Sequence, residues 1–133
     1  MTTEANKQLM QTIFAALAEG NGRPLREAMA EDFSWTIAGR SAWSRAWRGK
    51  QVVLDELIRP LFARFATTYT NRAQRFIAEG DHVVVQCQGD VMTKSGQRYD
   101  NQYCMVFRLE GGQLRELTEY MDTDLALQAL GAP

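Results

Sequence analysis

Glu119 is the residue whose surroundings most suggest chemistry. In Leu117-Thr-Glu119-Tyr-Met121, strand alternation puts Leu117, Glu119 and Met121 on one face. A carboxylate between two apolar neighbours is poorly solvated, its pKa rises, and it suits general acid–base work near neutral pH. A second acid, Asp90, closes the segment Gln88-Gly-Asp90. Further along, Asn101, Tyr103, Met105 and Phe107 share a strand face, and the first two carry groups that can orient a ligand oxygen. Three tryptophans, Trp35, Trp43 and Trp47, fall close together and predict aromatic walls for a planar apolar ligand.

Other chemistries lack their residues. The chain has one histidine, His82, and two cysteines, Cys87 and Cys104. A structural zinc site wants four Cys or His ligands, so no metal and no cofactor is expected. His82 follows Glu79-Gly80-Asp81, a turn signal, and reads as a solvated turn residue rather than a catalytic one. With 133 residues, 45% hydrophobic and 23% charged, the chain reads as one globular domain spanning residues 1–133. A net charge of −1 without a basic stripe argues against a nucleic-acid partner. No apolar run approaches the ~20 residues of a membrane span, and the N-terminus shows no secretory signal, so a cytoplasmic address is expected.

The elements that must position these residues follow from periodicity. Leu9, Met10, Ile13, Phe14 and Leu17 have helical spacing, with Thr2 or Thr3 as cap and Glu19-Gly20-Asn21-Gly22 as stop. Pro24 to Met29 fits a short second helix. Phe33-Ser-Trp35-Thr-Ile37 alternates as a strand, and Ala38 to Trp47 reads as irregular. Gly49 opens a third helix, Val52 to about Phe65, which carries Phe62 and contains Pro60. Four strands follow at about Tyr69–Ala78, His82–Met92, Tyr99–Leu109 and Gln113–Asp122, joined by glycine-containing turns. The order is helices first and an antiparallel meander after, an α+β arrangement.

That order, read with particular residues, resembles the SnoaL-like branch of the nuclear transport factor 2-like superfamily. The carrying segments are Asp32-Phe33-Ser-Trp35-Thr-Ile37, Trp47-Arg-Gly-Lys50, Ile77 to Val85 across a hairpin, Tyr103 to Leu114, and Glu119-Tyr-Met-Asp122. The resemblance implies a conical α+β barrel: a curved, mixed-edge antiparallel sheet wrapped around three N-terminal helices. It also implies a deep pocket, frequent homodimers and diverse functions, so the fold alone does not name the activity.

Register with the limonene epoxide hydrolase and ketosteroid isomerase members implies a concave face of Trp35, Ile37, Gln86, Gln88, Asp90, Met92, Asn101, Tyr103, Met105, Phe107, Leu117, Glu119 and Met121. The convex face is then Val83, Val85, Cys87, Cys104 and Val106, an apolar patch that a second subunit would cover. Glu119 matches the base carboxylate of the family's epoxide hydrolases. Where those enzymes have Arg-x-Asp, this chain has Gln88-Gly-Asp90, which lacks the bridging charge. The first helix offers Phe14 and Leu17 where ketosteroid isomerase has a tyrosine. The implied reading is a cofactor-free homodimer binding a small apolar or aromatic ligand. As an enzyme it performs isomerisation, cyclisation, dehydration or epoxide opening. Glu119, Asp90 and Tyr103 are then catalytic. Trp35, Ile37, Trp43, Trp47, Phe62, Gln88, Asn101, Met105, Phe107, Leu117 and Met121 line the substrate site. The alternative is a non-catalytic ligand-binding or stress-associated domain using the same pocket.

Overall fold

The computed structural model describes residues 1–133. Helix α1 (Thr3–Ala18) starts where Thr2 accepts a hydrogen bond from the Ala5 amide at 3.0 Å, capping one of the helix's free donors. It buries Met10, Ile13 and Phe14, the face its spacing predicts. Helix α2 (Arg23–Ala28) has its proline in the first turn, where the missing amide proton costs no hydrogen bond.

Strand β1 (Met29–Ile37) starts earlier than its alternation suggests, because a register shift between Met29 and Ser34 exposes Glu31 and Asp32 and hides the period of two. A short β2 (Ala46–Arg48), read as irregular from sequence, pairs with β1 and sets Trp47 opposite Trp35. Helix α3 (50–62) runs through Lys50–Val52, a π-helical stretch Val53–Ile58, and Arg59–Phe62. The Arg59 amide reaches back to the Leu54 carbonyl, five residues away. Pro60 accounts for the widening: its ring has no N–H and crowds the carbonyl four residues before it.

The sheet follows as β3 (Thr70–Glu79), β4 (His82–Met92), β5 (Arg98–Tyr99), β6 (Gln102–Glu110) and β7 (Gln113–Met121). The strand predicted at Tyr99–Leu109 is thus divided into β5 and β6. The sheet order is β2-β1-β7-β6-β4-β3, with β5 also on β4. All pairs are antiparallel except β1 with β7, which makes the sheet mixed at that end. At the β3–β4 hairpin, Gly80 takes φ +59, a left-handed conformation that a side chain would strain. A helix not foreseen from sequence, α4 (Thr123–Leu130), closes the chain. Asp122 caps it through the Asp124 and Leu125 amides rather than extending β7.

The curled sheet wraps its concave face around α1 and α3. Phe14 of α1 meets Phe76 and Phe107 edge-on at centroid distances of 6.0 and 6.1 Å. The apolar cluster between the layers is continuous from Met10 to Ala129. No helix is long and apolar enough to cross a membrane.

One face assignment is corrected. Val83, Val85, Cys87 and Val91 point into the core, and Gln86, Asp90 and Met92 point out. Val83 pairs with Phe107, Val85 with Met105 and Cys87 with Tyr103, so the concave residues of β4 are one position away from those the family register implies. Val83 and Val85 are therefore not part of any outer interface: both are completely buried. Cys104 and Val106 do lie on the outer face, as expected.

Candidate functional site

The helices do not fill the concave face. A cavity of about 470 Å³ remains between β1, β6 and β7 on one side and α1, α2 and α3 on the other. Twenty-one of its 27 lining residues are hydrophobic. Trp35, Ile37, Trp43, Phe62, Tyr103, Met105, Phe107, Leu117, Glu119 and Met121 all line it, as the sequence predicts. Phe62 stands 45% exposed near the opening, its ring 5.0 Å from that of Phe65 and 5.6 Å from that of Tyr69. Trp43 is fixed by its indole N–H, which donates to the Gly131 carbonyl at 2.7 Å.

Glu119 is the only acid in this lining. Its cross-strand neighbours are Ile37 of β1 and Met105 of β6, and Leu117 and Met121 flank it along β7. No side-chain hydrogen bond reaches it. Burial therefore pushes its pKa from 4.5 up to about 8, with the nearby Trp35 indole opposing this to a smaller extent. The Trp35 N–H itself is buried and has no acceptor with hydrogen-bonding geometry. A buried donor left unmade costs ~1–3 kcal/mol, so an oxygen entering the cavity at this point would be stabilised.

Beside Glu119 stand three phenols, of which the sequence singled out only Tyr103. Tyr69 and Tyr99 also line the cavity, together with Asn71. Burial holds all three phenols above their ordinary pKa, and the negative charge of Glu119 would add to this. They remain neutral donors at physiological pH. The Asn71 amide donates to Tyr69 Oη at 3.1 Å. Cys87, buried below them, is a protonated thiol: burial pushes it up to about 12.

Gly89 was the available sign of Tyr69. A glycine inside a strand marks a close approach, and a Cβ here would lie 2.6 Å from the Tyr69 hydroxyl. The Gly89→Ala variant should displace that phenol and lower the melting temperature by an amount corresponding to ~1–3 kcal/mol, measured by calorimetry. An unchanged melting temperature would mean that Tyr69 is free to move away.

Four of the residues expected in the site lie elsewhere. Asp90 points outward, 56% exposed, and pairs with Arg98 at 3.2 Å. It cannot reach a ligand in the cavity, and the two-acid arrangement is not formed. Gln88 shares that outer face of β4, where its amide donates to the Asp100 carbonyl at 3.2 Å. Both residues moved with the register of β4, whose apolar side turns inward. Asn101 is buried but structural. Its amide donates to the Asp122 carbonyl at 2.9 Å and its oxygen accepts from the Asp122 amide at 3.2 Å, tying β6 to the end of β7. Trp47, paired with Trp35 across β1 and β2, carries the Arg45 guanidinium 5.1 Å above its ring and lies outside the cavity lining.

Residues 10–117 match the SnoaL-like domain family. The chain belongs to that family. Known structures share this SnoaL-like fold along nearly the whole chain. A nuclear transport factor 2-like protein of unknown function from Burkholderia pseudomallei K96243 superposes with a TM-score of 0.80 at 20% identity, covering 99% of this chain and 100% of that one. Bal32a, from a soil-derived mobile gene cassette, gives 0.77 at 22% identity over 96% and 95%. An LEH-like epoxide hydrolase from M. tuberculosis gives 0.72 at 19% identity over 96% and 90%. No curated protein matches the sequence. At these identities the SnoaL-like likeness is one of fold, and the chemistry must be read from the cavity.

Proposed function

We propose that this SnoaL-like domain is an enzyme that transfers a proton to or from a small, largely apolar substrate in the cavity, with Glu119 as general acid–base residue. The observation that supports this best is the burial of Glu119 among apolar side chains beside an unpartnered indole N–H, which favours its neutral form. With a pKa of about 8, only about a tenth of the carboxyl is ionised at pH 7, so its resting role is to donate. A substrate oxygen, whether carbonyl, hydroxyl or epoxide, receives the Glu119 proton and the Trp35 hydrogen bond together. Neutral Tyr69 and Tyr103 supply further donors as charge develops on that oxygen. Isomerisation, cyclisation, dehydration and epoxide opening all use such a step.

The test is a pH–rate profile on any compound turned over from a panel of apolar ketones, epoxides and allylic alcohols. kcat/KM should fall as pH rises through about 8, where Glu119 loses its proton. A flat profile through that region would exclude Glu119 as the acid.

The assembly that fits is a homodimer through the outer sheet face. Ile77 and Tyr120 are each 51% exposed there, beside half-buried Val84, Cys104 and Val106. Val106→Arg should convert the dimer to monomer in light scattering without unfolding it. A dimer unaffected by this change would place the interface elsewhere.

A further inference from the structure

The charged groups of the cavity lining are sorted between its buried and its open ends. Glu119 is buried, whereas Arg26 of α2 and Arg59 of α3 are exposed. Arg59 is already held, 3.1 Å from Asp55 on its own helix. Arg26 has no acidic partner, because the ion pair on α2 joins Arg23 and Glu27, at 3.1 Å. A Cβ on Gly22 would lie 3.0 Å from Arg26 Nη1. The guanidinium thus lies over the entry to α2, and glycine leaves it that place at the rim.

We propose that the cavity takes an amphipathic acid, with an aromatic or alicyclic body inside and a carboxylate left at the rim on Arg26. This rests on the proton-transfer reading above, because it concerns the same cavity. An anionic end is disfavoured inside, where the lining is mostly hydrophobic and its only cations, Arg26 and Arg59, stand at the exposed end. At the rim, the guanidinium presents a planar fork that matches a carboxylate in two parallel hydrogen bonds. Trp35 and Trp43 give the body aromatic surface in the lining. Holding the acid at the rim fixes which end goes in, so the uncharged oxygen of the substrate meets Glu119 and Trp35. Arg26 is on this account a specificity-determining residue rather than a catalytic one.

A matched pair of probes tests this: naphthylacetic acid and naphthylacetamide, titrated at low salt against the intrinsic tryptophan fluorescence. The acid should bind roughly three- to fivefold more tightly than the amide, the size expected for a partly exposed ion pair. Arg26→Gln should abolish that preference, and raising the salt should shrink it. Arg59→Gln should leave it intact, because Asp55 already holds Arg59. Glu119→Gln should also leave it intact. Equal binding of the two probes, a preference that survives Arg26→Gln, or binding of neither would overturn the proposal. Equal binding would leave the proton-transfer reading standing, since that is judged by the pH dependence of turnover.

Discussion

Glu119→Gln should reduce turnover by roughly 10²- to 10⁴-fold, the usual contribution of a positioned acid or base. The amide keeps the length and planarity of the carboxyl and removes only the transferable proton. No side-chain hydrogen bond to Glu119 is lost, and its neighbours Ile37, Met105, Leu117 and Met121 make no demand on its charge. The variant should therefore fold, and substrate binding should change little: the loss should appear in kcat, with KM nearly constant. Glu119→Asp separates position from charge. It keeps an acid but withdraws it by one methylene, and a misplacement of this size is enough to cost a large part of the rate. A Glu119→Gln protein that turns over at the wild-type rate would leave the cavity as a binding site only. Wild-type kcat with a raised KM would make Glu119 a recognition residue.

The parts of this SnoaL-like site that could be read from sequence are those governed by a single strand's alternation. Alternation groups Leu117, Glu119 and Met121 on β7 and Tyr103, Met105 and Phe107 on β6, and the family resemblance marks these faces as the concave ones. β4 departs from the family register, and its own pattern shows why. Val83, Val85, Cys87 and Val91 against Gln86, Gln88 and Asp90 is the binary pattern of a strand with one buried face. The family register overrode it by one residue, and a shift of one residue exchanges the faces. Asp90 left the site for that reason, and Val83 and Val85 left the outer interface with it.

Tyr69, Tyr99 and Asn71 were missed for a different reason. Tyr69 and Asn71 share one face at the start of the strand expected at Tyr69–Ala78, to which no inward face is assigned from sequence, and Tyr99 precedes the break at Asp100–Asn101 that divides β5 from β6. Tyr99 has the parity of Asn101 and Tyr103, but only the fold brings Tyr69, Asn71 and Tyr99 into one cavity with Glu119. The Gly89 gap was the local sign for Tyr69, since it records a close approach without naming what approaches. Arg26 is legible only once the cavity is known, because its distinguishing property is the lack of a partner.

Stability should fall as pH rises from about 4.5 to about 8, and Glu119→Gln should remove that part of the dependence. In the unfolded chain the carboxyl titrates near 4.5, whereas in the folded protein burial delays this to about 8. Between these values the folded state binds a proton that the unfolded state has lost. Stability that depends on this proton is fully present below the unfolded value, declines through the interval and is gone above the folded value. Each unit of difference corresponds to about 1.4 kcal/mol, so the whole effect is on the order of a few kcal/mol, large beside the usual 5–15 kcal/mol of a domain. Glutamine does not titrate, so the variant should gain on the wild type steadily with pH and be the more stable protein at alkaline pH. Urea unfolding of both proteins across this range measures the difference directly, and other titrating groups largely cancel in it. Two stability curves running parallel would show that Glu119 is solvated or paired in solution, and its role as a neutral proton donor would fall with that result.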